Sequence, residues 1–130
     1  MPTPSRWWYG VALFPVVVLT TVVSRFGLRR FTAVAMANST SNDDALVGLV
    51  AFVVSILADY LGVLVALLVV TFVALDVRAL RDGNAWRPSR AWILAGVAHL
   101  VGAVFSPALL LSVPSLTYYL YRRRERVGLT

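Results

Sequence analysis

Ala45–Leu75 reads ALVGLVAFVVSILADYLGVLVALLVVTFVAL, and of these residues only Asp59 is charged. Ala91–Tyr121 is as long and contains no charged residue at all. A run of more than about 18 apolar residues is read as membrane-spanning, because lipid offers no partner to polar groups. A helix on the surface of a soluble core would need a charged face, and neither run has one.

The rest of the chain agrees. Hydrophobic residues make up 59% and charged residues 14% of its 130 residues, against about half and about a quarter in ordinary soluble domains. This length suits one transmembrane domain spanning 1–130. There is no cysteine, which excludes disulfides, thiol chemistry and cysteine-zinc sites. Every basic residue is Arg, consistent with a genomic bias, and the net charge is +6. A nucleic-acid partner is not expected, because the arginines cluster between the apolar runs, as the positive-inside rule describes. The expected anionic partner is the lipid headgroup.

Trp7 to Ser24 is a further apolar segment, with Trp7, Trp8 and Tyr9 suited to an interface and Arg25, Arg29 and Arg30 at its end. Those arginines argue against its being a cleaved export signal. Residues 31–44 read as a connector, mildly apolar at first and then polar. It contains Asn38-Ser39-Thr40, a glycosylation sequon expected to be silent on the inner side.

Each long run would measure about 46 Å as one helix, against a hydrocarbon core of about 30 Å. Two features favour hairpins. Asp59 could cap a helix starting at Tyr60, and Ser106-Pro107 offers a Ser cap followed by Pro at the first helical position. Hairpins also put nearly all the arginines on one side. The expected fold is therefore all-α integral membrane, with about five short transmembrane helices at 6–24, 44–58, 60–80, 90–105 and 107–122. These make one N-terminal helix plus two hairpins. The alternative is three to four longer helices. Five crossings place the N-terminus outside and the C-terminus inside the cytoplasmic membrane, with 122–130 as a basic cytoplasmic tail.

Two polar residues are candidates for a buried site. His99 is the only histidine. On a helical wheel it shares a small-residue side with Ala91, Ala95, Ala98, Gly102, Ala103 and Ser106, opposite Ile93, Leu94, Val97, Leu100, Val101, Val104 and Phe105. Small residues let helices pack closely, so His99 is expected at a helix–helix contact, bonded to a hydroxyl or a backbone carbonyl. Asp59 reads as a cap in the hairpin scheme, and as a mid-membrane ion or proton site if its helix is continuous. Asp76, near Arg78, reads as a solvated surface charge. In the tail, Arg122, Arg123, Arg124 and Arg126 follow Tyr118, Tyr119 and Tyr121, a pattern for headgroup contact.

No phosphate loop, metal-ligand spacing or catalytic triad is present, so no enzyme activity and no cofactor or metal are expected. The stretch Leu111–Gly128, together with His99 between Gly96 and Gly102, resembles the ends of small uncharacterised membrane proteins of haloarchaea. That resemblance covers the last third of the chain and implies an archaeal cytoplasmic membrane, with no activity attached. The expected role is structural or accessory to another membrane protein, or to another copy of itself. An oligomeric small transporter or channel is the alternative.

Overall fold

A computed structural model describes residues 5–37, 41–83 and 86–128, and among these it is helical without a strand. The sequon at 38–40 lies outside the described residues. The helices are α1 (Trp8–Val11), α2 (Phe14–Met36), α3 (Asn42–Asp82), α4 (Ala91–Val104) and α5 (Leu109–Val127), with a 3-10 turn at Ser106–Ala108.

The first segment bends where proline requires it. α1 stops at Ala12, and α2 restarts at Phe14 with Pro15 in its first turn. Pro15 has no N–H to give Val11, and its ring would clash with that carbonyl. α2 then runs past Arg25, Arg29 and Arg30 to Met36. The first helix is thus longer than the expected 6–24, and the connector is shorter than 31–44.

The largest difference is in α3, which has 41 residues without a break. It begins at a Ser41 cap, whose Oγ accepts from the Asp44 backbone N–H, and carries Asp43 and Asp44 in its first turn and Arg81 in its last. This arrangement suits the helix dipole. Asp59 caps nothing and lies exposed on the helix side.

The reason lies in the packing against α2. Gly48, Ala51, Ser55, Ala58, Gly62, Val65 and Val69 recur at alternating spacings of three and four, the period of a coiled-coil seam. Val17, Thr20, Ser24, Gly27, Phe31 and Val34 repeat the pattern on α2. The two helices run antiparallel, with Gly62 against Thr20, Gly27 against Ala51 and Ser55, and Gly48 against Val34. Ser55 Oγ donates to the Ser24 carbonyl at 2.8 Å. The seam passes through the level of Asp59 in unbroken register, so a turn there would take half of it out of contact. One polar residue without Pro cannot offset that loss.

In the second run the expected hairpin forms. α4 ends at Phe105 (φ −111°, ψ 88°), and the chain turns through Ser106–Ala108 into α5. Here Pro107 supplies what Asp59 lacks, a missing donor and a steric stop. Pro114 is accommodated within α5.

α4 and α5 cover only the C-terminal half of α3. There Val65, Ala66, Val69, Val73 and Val77 form the core with Val11, Val17, Leu109, Leu116 and Tyr119. The other half of α3 and the end of α2 extend beyond as a two-helix arm. Ser5 contacts Arg123, so the two ends of the described chain lie at the same end of the bundle.

A Cβ on Gly27 would stand 2.7 Å from the Ala51 carbonyl oxygen, which cannot move aside. Gly27→Leu is expected to cost about 1–3 kcal/mol or more, read as lowered thermal stability in detergent. Phe26→Leu, on the exposed side of the same turn, should leave it nearly unchanged.

Candidate functional site: two buried polar clusters

Two polar clusters lie inside the bundle. The first is at the end of the bundle where Ser5 and Gly128 lie. Asp76 sits on the buried face of α3 that Val69 and Val73 begin, and both Asp76 and Arg123 are fully buried. Arg123 belongs to a stripe on α5, Leu109–Ser112–Leu116–Tyr119–Arg123, that repeats the three-four spacing. Arg123 Nε donates to Asp76 Oδ2 at 2.9 Å, and Nη2 donates to Oδ1 at 3.3 Å. Tyr119 OH donates to Oδ2 at 2.7 Å, and Ser5 Oγ to Oδ1 at 2.6 Å. The guanidinium also donates to the carbonyls of Ser5 (2.5 Å) and Gly128 (2.8 Å).

Both charges are therefore paired and their remaining bonding positions used, which is the condition for keeping an ion pair out of water. Gly128 helps by its backbone: its φ of +82° lies in the region that favours glycine and turns its carbonyl back to Arg123. The cluster joins the N-terminal segment, α3 and α5. Aromatic rings cover it, with Trp86 and Trp92 packed on Tyr119 and Trp7 on Phe72.

The second cluster is in the middle of the bundle. His99 is fully buried, with Nδ1 2.9 Å from Ser112 Oγ and Nε2 3.1 Å from the Phe14 carbonyl. A carbonyl only accepts, which assigns the proton to Nε2; in a neutral ring Nδ1 then accepts the Ser112 hydroxyl. The imidazole thus links α4 to α5 and α2. Its neighbours are close to the wheel's arrangement: Leu94, Val97, Val101, Val104 and Phe105 are exposed. Ile93 and Leu100, placed on the outer side by the wheel, instead pack partly against the core. Gly96 is buried against Val70 of α3.

The structure separates the candidates of the sequence. His99 is interior and Asp59 is on the surface, so they form no common site. Arg123 leaves the headgroup set, because its guanidinium is consumed by Asp76. Arg124 and Arg126 remain exposed, and Arg122 lies near Glu125 and over the Tyr118 ring. Asp76 is not a solvated charge. Sequence reasoning missed this pair, although both residues continue apolar stripes of helical period, and a charge on such a stripe signals a buried partner.

Among the described residues no group of three or more metal-ligating side chains is assembled. No protein-family model, curated protein or solved structure matches this chain.

Removing one partner of a buried pair strands the other charge, at about 3–5 kcal/mol. Asp76→Asn and Arg123→Gln should each destabilise the detergent-solubilised protein strongly. Asp76→Leu combined with Arg123→Met should recover most of the loss. A double mutant as unstable as the sum of the single ones would show that the residues act independently.

Proposed function

We propose that this chain is a small multi-pass membrane protein whose role is structural or accessory, performed by packing against another membrane protein or a second copy of itself. The observation that carries the reading is where the charges fall in the fold. Arg6, Arg78, Arg81, Arg87, Arg90 and the tail's Arg122, Arg123, Arg124 and Arg126 cluster around the end where Ser5 and Gly128 lie, with Asp76, Asp82 and Glu125. Arg25, Arg29 and Arg30 lie toward the other end, balanced by Asp43, Asp44 and Asp59. The whole net charge of +6 thus belongs to one end, as expected for a cytoplasmic face. All four tryptophans are at that end too, in the manner of an interfacial belt.

The apolar surface supports the same reading. α2 with α1, and α3, are long and apolar enough to cross a membrane, yet only 28% of the most apolar stretch of each is buried within the fold. From Asp59 to Asp76 α3 rises about 26 Å, close to the hydrocarbon thickness. On this reading four helices cross, both termini are cytoplasmic, and the resemblance of the last third to haloarchaeal proteins makes the membrane an archaeal one.

The accessory role rests on the arm. Beyond Arg25 and Asp59 a groove of about 590 Å³ between α2 and α3 is lined by Val22, Phe26, Leu46, Val50 and Val54, with Arg30 beside them. Large side chains there are exposed, among them Phe26, Leu46 and Val50. An exposed apolar patch of this kind marks a contact surface, and helices of a partner would cover it.

Reporters fused before Met1 and after Thr130 should both behave as cytoplasmic, and the protein should resist carbonate extraction. Reporters on opposite sides would overturn the topology. A photocrosslinker at Val50 should yield one defined adduct that Val50→Arg abolishes; the absence of any adduct would remove the accessory role.

A further inference from the structure

The end that carries the net charge has a feature that neither the buried pair nor the tail explains. A cleft of about 480 Å³ opens between α3 and α4. Arg78 and Arg81 of α3 and Arg90 at the start of α4 line it, with Val77 and Ile93 as apolar wall and Asp82 at its edge. Among the described residues the ion pairs are Asp76–Arg123 and Arg122–Glu125. The three guanidiniums of the cleft, and Asp82, therefore have no ionic partner. Arg81 is positioned by a 3.2 Å hydrogen bond from Nη1 to the Pro88 carbonyl. All three are exposed.

Three like charges in one cleft repel one another, and a single carboxylate leaves an excess of positive charge. An anion between them would relieve that repulsion. The planar, forked donors of arginine suit a phosphate. The wall adds a second requirement, because Val77 and Ile93 would sit against an apolar part of the same ligand. Phosphate joined to an apolar body is the chemistry of a phospholipid, and basic pockets between transmembrane helices hold such headgroups.

We propose that the Arg78–Arg81–Arg90 cleft is a binding site for the phosphate headgroup of an anionic membrane lipid. The proposal rests on the membrane reading above. It differs from the general attraction of the exposed tail to a charged surface, since it assigns a bound molecule to one place.

The test uses the full chain purified in mild detergent. Phosphatidylglycerol or phosphatidylcholine is titrated in, and bound lipid is counted by native mass spectrometry. Phosphatidylglycerol should be retained in preference to phosphatidylcholine, and Arg78→Gln with Arg90→Gln should weaken it roughly 30-fold, from about fivefold per arginine. Arg29→Gln with Arg30→Gln, which removes the same charge at the other end, should leave it unchanged. Equal retention of both lipids, or equal loss in both double variants, would overturn the proposal. Displacement by inorganic phosphate at matched concentration would assign the site to a soluble anion and overturn the lipid. Circular dichroism of each variant establishes that it remains folded; if the first pair unfolds the chain, Arg90→Gln alone is read in the same way. Carbonate extraction of the source membranes separates the two levels: release would defeat the membrane reading, whereas membrane retention without lipid preference would defeat only this site.

Discussion

The ion pair of Asp76 and Arg123 constrains the architecture more than any other contact. A buried charge is tolerated only with a partner and with its other bonding positions filled, and filling them takes Ser5, Tyr119 and Gly128. With Asp76 they come from the beginning, the middle and the end of the chain. Satisfying one carboxylate and one guanidinium therefore gathers the N-terminal segment, the last third of α3 and the end of α5 at one place. This closure holds Ser5 and Gly128 at the same end of the bundle.

Above the pair the bundle is held by different means. His99 ties α4 to α5 and α2 through one hydroxyl and one carbonyl, leaving neither ring nitrogen unpaired. α2 and α3 are joined by small residues that let their backbones approach, with the Ser55–Ser24 bond across the seam. Large apolar side chains are left pointing outward. Close packing and interhelical hydrogen bonds of this kind hold helices together without a hydrophobic contribution from their outer faces. The same distribution accounts for an arm with a well-made internal seam and an uncovered apolar exterior.

The sequence was informative where a residue acts locally. Pro107 lacks a donor and clashes with the preceding turn whatever surrounds it, so the break between α4 and α5 was readable. The wheel of α4 was readable because its small and bulky residues lie on opposite sides, and it put His99 at a contact between helices. Asp59 was misread because a cap signal is weak and depends on whether the chain gains by turning. The three-four repeats on α2 and α3, which argue against a turn, are made of Gly, Ala, Ser and Thr as well as Val. In a run already apolar throughout they do not stand out by hydropathy. Arg123 was misread for a related reason, since four arginines in a cluster look alike until the stripe on α5 singles one out.

By itself the sequence determined that the chain is helical, that two long segments are apolar on all sides, and that one hairpin turns at Ser106-Pro107. These follow from local sterics and from the cost of placing polar groups in an apolar medium, which depend on residue type alone. Only the tertiary structure decided that α3 is continuous, that Ser5 and Gly128 come together, and that Asp76 and Arg123 are one buried unit rather than two surface charges. Those outcomes depend on which residues distant in the chain come within about 3 Å of each other, and no local propensity encodes that.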